Sequence, residues 1–192
     1  DLAAFKATYT AVRKSDSLLG IWYQSGQETP LNMALTPEDK AFRMNRPQTP
    51  QPPYPYICKD VTFVNKKAKI NLAGTLTIPD TTKVWPVVVL VSGSGPQDRN
   101  EELLKHQPFL IIADFFTRNG IAVLRYDDRG VGKSEGKFNE ATTADLSSDA
   151  GSAVSFLKTL PYIDKKAIGM VGHSEGRVIV LMQASQTKSL PS

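Results

Sequence analysis

Hydrophobic positions follow two regimes along this chain, one before residue 45 and one from Ile57 onward. In the first regime apolar residues fall in short groups. Leu2, Phe5, Tyr9 and Val12 recur at three- to four-residue spacing, which predicts a short helix over residues 1–14. Ile21-Trp22-Tyr23 and residues 31–35 predict short strands around a turn at Ser25-Gly26. A leader of this size, residues 1–44, is too small to enclose a convincing core of its own. Pro47, Pro50, Pro52, Pro53 and Pro55 then mark residues 45–56 as an extended, semi-rigid linker.

In the second regime, residues 57–192, strand and helix patterns alternate. Val61-Thr62-Phe63-Val64 and residues 70–78 alternate as two antiparallel strands joined at Asn65-Lys66-Lys67. Val87-Val88-Val89-Leu90-Val91 is a continuous β-branched run, the pattern of a strand buried on both faces. Residues 108–118 predict an apolar helix stopped by Asn119-Gly120, and Ile121-Ala122-Val123-Leu124 a second buried strand. Residues 142–160 predict an amphipathic helix with Leu146, Ala150, Ala153, Val154 and Leu157 on one face. Thr142 and Asp145 are spaced as a capping box, and Pro161 closes the segment. A strand over 167–171 and a last apolar helix follow. Strands alternating with helices predict an α/β fold with a mostly parallel sheet covered on both faces. There is no internal repeat.

Composition narrows the picture little. An apolar share of 41% over 192 residues suffices for a globular core. The net charge of +4 is not gathered into one long basic run, and Lys66, Lys67 and Lys69 fall in a hairpin turn. No nucleic-acid surface is therefore expected. The single cysteine, Cys58, excludes an internal disulfide and a cysteine-cluster metal site. No apolar run approaches the roughly 20 residues of a membrane-spanning helix. Beginning at Asp1, with neither methionine nor a signal peptide, the chain reads as processed or trimmed.

The candidate chemistry sits at Gly172-His173-Ser174-Glu175-Gly176, between the 167–171 strand and the last helix. Strand, G-x-S-x-G, helix is the order of a nucleophile elbow: small residues flank a serine whose hydroxyl is raised above the sheet by a strained turn. Ser174 is the expected nucleophile. Its attack on an acyl carbon makes an oxyanion that needs two preset N–H donors. The Glu175 amide is one. The Ser94 amide, in the glycine-rich loop Ser92-Gly93-Ser94-Gly95-Pro96, is assigned as the other. A phosphate-binding turn competes for that loop, but G-x-G-x-x-G would need glycine where Asp98 stands. Gly132-Lys133-Ser134 likewise imitates the end of a P-loop, yet the required earlier glycine falls on Asp127. That segment is expected to order its loop through structural Asp–Arg pairing. His106 reads as a solvated loop residue. His173 reads as pointing away from the serine hydroxyl. Two histidines without a local carboxylate cluster make no metal site. Asp164 and Glu175 side chains read as surface or structural groups.

These residues resemble the α/β-hydrolase superfamily, and within it the bacterial serine hydrolases grouped with dienelactone-hydrolase-like, serine-aminopeptidase-like and acyl-thioesterase-like esterases. The resemblance is carried by Leu72-Ala73-Gly74-Thr75-Leu76-Thr77-Ile78-Pro79, by Ser92-Gly93-Ser94-Gly95-Pro96-Gln97-Asp98-Arg99, by the stretch from Tyr126-Asp127-Asp128-Arg129-Gly130 to Ser134, and by the elbow. They occur in family order over residues 57–186. The resemblance implies the N-terminal part of an α/β-hydrolase fold, with antiparallel first strands, behind a short β-containing leader. It also implies hydrolysis of small carboxylic esters, or of amides or thioesters, through an acyl-serine and without a cofactor. The leader resembles that of some exported members, which suggests an exported or periplasmic bacterial protein.

Three departures stand out. Ser92 replaces a histidine common in relatives, which should leave the backbone donor intact. Arg177 replaces a small residue and is expected to crowd the last helix against the sheet. The family order of serine, acid, histidine runs out after Ser174. The chain is therefore expected to be weakly active or inactive alone. Two alternatives remain: a non-catalytic binding or assembly module, or a half-domain completed by another chain. In each case the 167–171 strand is an open apolar edge, expected to drive self-association.

Overall fold

The computed structural model describes residues 7–37 and 45–186, which divide into two units between Asn45 and Arg46. The first unit is a three-stranded antiparallel meander: β1 (Ala7–Lys14), β2 (Ser17–Gln24) and β3 (Gln27–Ala34). Residues 7–14 are a strand, not the helix that the apolar spacing predicts; residues 1–6 lie outside the described residues. Thr8, Thr10 and Val12 are β-branched, and their backbone bonds are taken by β2, with Thr10 opposite Ile21 and Val12 opposite Leu19. Tight turns with Ser15 at φ +53 and Gly26 at φ +77 join the strands. No described residue of this unit is fully buried, as its size dictates.

The second unit holds a five-stranded sheet in the order β4-β5-β7-β6-β8. The strands are β4 (Ile57–Asn65), β5 (Ile70–Ile78), β6 (Trp85–Val91), β7 (Ala122–Tyr126) and β8 (Ile163–Gly172). Antiparallel pairing joins β4 to β5 and β5 to β7, while β6 runs parallel to β7 on one side and to β8 on the other. Helix α1 (Pro108–Arg118) connects β6 to β7, α2 (Thr143–Leu157) connects β7 to β8, and α3 (Glu175–Gln186) follows β8. The run 87–91 is buried on both faces, as its continuous hydrophobicity predicts. Leu90 packs with Phe109 and Ala113 of α1, whereas Val87, Val89 and Val91 pack with Leu146, Ala150 and Ala153 of α2 and Ile179 of α3.

The ends of the helices follow local chemistry. Thr142 and Asp145 close a full capping box on α2, and Asn119 followed by Gly120 at φ +83 stops α1. Tyr56, at the end of the proline-rich stretch, is buried and donates its hydroxyl to Asp114 Oδ1 of α1 at 2.8 Å. Burial and that carboxylate push the Tyr56 phenol well above its ordinary range.

The connections place a site. The chain leaves β6 to one side through α1 and returns to its other side through α2. β6 is thus the topological switch point, where the loops beyond the C-terminal ends of β6 and β8 diverge and leave a crevice.

Candidate active site

The elbow forms where β8 turns into α3. Ser174 adopts φ +48, the left-handed region that a non-glycine residue enters only at a cost. Two glycines permit the turn. A Cβ on Gly172 would lie 2.2 Å from the Gly176 carbonyl, and one on Gly176 would lie 2.3 Å from Val91 O. Helix α3 therefore starts against the end of β6 at a distance that only hydrogen allows. Gly176 N–H returns to His173 O at 2.7 Å and Arg177 N–H to Ser174 O at 3.2 Å. Ser174 is exposed.

Arg177 does not crowd the helix as expected. It too is exposed, and its Nε donates to Ser174 O at 3.2 Å, so the guanidinium runs outward over the elbow. Glu175 Oε1 accepts from Thr143 Oγ1 of α2 at 2.7 Å, a structural tie between the two helices. Asp164 Oδ1 accepts the Lys166 N–H at 2.9 Å at the start of β8.

The loop after β6 meets the elbow closely. A Cβ on Gly93 would lie 3.1 Å from Ser174 Cβ and 3.1 Å from His173 Nδ1. Ser94 is exposed beside it, and among the described residues no protein acceptor takes the Ser94 or the Glu175 N–H. Carboxylates from below hold this loop in place. Asp128 accepts Ser92 Oγ–H at 2.8 Å and Gln97 N–H at 3.0 Å. Burial raises the Asp128 carboxyl to about 6, and those two bonds only partly oppose the rise. Asp127 accepts from the Arg99 amide and guanidinium and from the Lys133 N–H. Burial pushes the Asp127 carboxyl up, but the Arg99 bonds outweigh it and the carboxyl ends below its ordinary value.

The imitation P-loop is accounted for in the same way. Ser134 Oγ donates to Asp127 O at 2.7 Å, and a Cβ on Gly132 would lie 2.5 Å from Asp127 Oδ2. Arg129 pairs with Asp149 at 2.7 Å in the interior, the structural Asp–Arg pairing that the sequence predicts for this segment.

A cavity of about 300 Å³ opens between the two loops, lined by Ser94, Glu101, Leu103, His106, His173 and Ser174 among others. It gathers residues that sequence reasoning kept apart. His106, read as a solvated loop residue, lines the same cavity as Ser174, and its Nδ1 is buried with no protein partner. His173, read as lacking a carboxylate and pointing away, also lines this cavity and has its Nδ1 2.7 Å from Glu101 Oε1. Glu101 was missed altogether. It is a buried carboxylate that also accepts the Gly93 N–H at 2.7 Å. No local sequence signal marks it, because only the path of the loop brings it back to Gly93. A larger hollow of about 420 Å³ lies in the first unit, lined by Arg13, Leu18 and Met33 among others. Among the described residues no group of three or more His, Cys, Asp or Glu side chains is arranged to hold a metal ion.

Comparison with known proteins agrees with this geometry. The family described as X-Pro dipeptidyl-peptidase (S15 family) matches residues 69–191. Esterase EstD of Thermotoga maritima is 33% identical over 129 residues, which is 67% of this chain and 31% of that protein. Thiohydrolase apmlB of Arthrinium phaeospermum is 39% identical over 83 residues, 43% of this chain and 26% of that protein. The chain thus spans between a quarter and a third of the length of these relatives. Among solved structures, the alpha/beta hydrolase GrgF from Penicillium sp. aligns with a TM-score of 0.58 and 26% identity, over 69% of this chain and 43% of that one. Elbow, switch-point crevice and family match converge, and the chain belongs to the X-Pro dipeptidyl-peptidase (S15) family of α/β-hydrolase serine hydrolases.

Proposed function

We propose that Ser174 is the nucleophile of an acyl-transfer site that hydrolyses carboxylic esters through an acyl-serine. The amides of Ser94 and Glu175 would receive the oxyanion. One observation carries the reading: Ser174, at φ +48, is exposed at a strand-to-helix turn, and the loop bearing Ser94 packs against its Cβ. A hydroxyl so placed gains reactivity from preset donors and from an adjacent base. EstD is an esterase and apmlB a thiohydrolase, which supports acyl esters, with thioesters as the neighbouring class. No cofactor enters this chemistry.

The residues of this chain supply the nucleophile and the cradle, and no acid–histidine pair is assigned to Ser174. The chain alone is expected to turn over p-nitrophenyl acetate weakly, since a cradle without a triad retains only about 10³–10⁴-fold catalysis over water. A fluorophosphonate probe should label Ser174, with the adduct located by peptide mass spectrometry, and Ser174→Ala should abolish it. Labelling at another residue, or undiminished labelling of Ser174→Ala, would overturn the assignment. Brisk turnover lost in Ser174→Ala would keep the nucleophile and overturn the expected weakness.

A second reading has its own support. β8 is an edge strand among the described residues, with Val171 45% exposed and Leu181 of α3 70% exposed. Such an edge is a template for another strand, and pairing there with a second chain would complete or cover the site.

A further inference from the structure

We propose that Glu101 is a positioning residue that keeps the two halves of this site in register through one oxygen atom. The proposal rests on the acyl-transfer reading and deepens it. Glu101 Oε1 accepts the Gly93 N–H at 2.7 Å and lies 2.7 Å from His173 Nδ1. Gly93 directly precedes Ser94, and His173 directly precedes Ser174. One carboxylate oxygen therefore bridges the loop after β6 and the loop after β8, each a single residue from the group that the chemistry uses.

The surroundings favour this role over that of a general surface acid. Glu101 is 8% exposed, whereas the His173 side chain is 65% exposed. The buried member is thus the bridge and the exposed ring is the arm it holds. Glu101 adopts φ +52, with its own N–H fixed to Asp98 O at 2.9 Å, so the turn aims its side chain back under Gly93. A carboxylate oxygen can accept the Gly93 N–H and a proton-bearing His173 Nδ1 together. The clearance it governs is small, since a Cβ on Gly93 would already stand 3.1 Å from Ser174 Cβ. A shift of about 1 Å between such groups costs on the order of 10²-fold in rate.

The test compares the full chain with Glu101→Gln and Glu101→Ala. Glutamine keeps an oxygen that can accept both N–H groups, and alanine removes it. The first arm is hydrogen exchange at Gly93, read by mass spectrometry. The amide should be protected in the parent and in Glu101→Gln, and should exchange on the order of tenfold faster or more in Glu101→Ala. The second arm is phosphonylation of Ser174 by a fluorophosphonate, resolved into a maximal rate and a half-saturating concentration and normalised to the folded fraction. The maximal rate should fall roughly tenfold or more in Glu101→Ala, with substantial recovery in Glu101→Gln and the half-saturating concentration unchanged.

Alanine and parent reacting alike would overturn the positioning role alone. So would glutamine falling as far as alanine, because charge rather than the bridging oxygen would then matter. A parent that is never phosphonylated while Gly93 stays protected would overturn the acyl-transfer reading, and this role with it, and would leave only the bridge.

Discussion

Replacing Gly176 by alanine isolates the close approach on which the elbow depends. The added Cβ would lie 2.3 Å from Val91 O and 2.7 Å from Ser92 O. A carbon rests no closer to a carbonyl oxygen than about 3.3 Å, so the first turn of α3 and the end of β6 must part by about 1 Å. Both partners are backbone, one in a central strand and one in a helix start, and neither can rotate aside. Overpacking of this kind costs about 3 kcal/mol, the upper part of the usual range. At roughly 2–4 °C per kcal/mol for a chain of this size, Tm should fall by about 6–12 °C. The same displacement separates Ser174 from the Ser94 amide, so phosphonylation of the folded fraction should slow on the order of 10²-fold. Gly169→Ala is the control. It lies in β8, the strand that leads into the elbow, yet its Cβ would meet nothing nearer than Val88 Cγ2 at 3.7 Å. Thermal unfolding by circular dichroism and a time course of labelling read both effects. A Gly176→Ala protein that melts and labels like Gly169→Ala would refute the packing argument.

Other expectations follow from the same structure. Arg129→Ala leaves Asp149 charged and buried beside Asn65, whose Nδ2 donates to it at 2.6 Å; a loss of about 3–5 kcal/mol is expected in urea unfolding, and a loss under 1 kcal/mol would contradict it. Asp128 has a folded pKa of about 6 against 3.8 unfolded. The folded chain therefore binds the extra proton between these values, and the stabilisation, at most about 3 kcal/mol, is complete below about pH 4 and lost as pH rises through about 6. Asp128→Asn should flatten that fall, so a difference in Tm between parent and variant that stays constant across the window would count against the buried charge. Val171→Lys places a charge on the exposed β8 edge and should reduce self-association in sedimentation velocity. Equal association of variant and parent would remove that edge as the contact.

Much of this was legible because it was local or periodic. The run Val87-Val88-Val89-Leu90-Val91 marked a doubly buried strand, Thr142 with Asp145 marked a helix start, and Asn119-Gly120 marked a stop. The elbow was legible because glycine spacing around a serine encodes a turn that few other residues tolerate. Illegible features depended on distant partners. Residues 7–14 carry both a helical stripe and a β-branched alternation, and only pairing with β2 decides between them. Arg125 follows the apolar run that ends at Leu124, yet it belongs to β7 and is buried with its Nη1 on Asn100 Oδ1, and desolvation lowers its pKa. The Arg177 side chain could not be aimed from sequence, since its outward path follows the orientation of α3. Glu101 was invisible for the same reason: its partners Gly93 and His173 are eight and seventy-two positions away.

The most direct test of the central claim is a crystal structure of the phosphonylated protein. A phosphonyl group is expected on Ser174 Oγ, with one oxygen held about 2.7–3.1 Å from both the Ser94 and Glu175 nitrogens. A phosphonyl oxygen left in solvent, or a Ser94 amide facing away from it, would contradict the account.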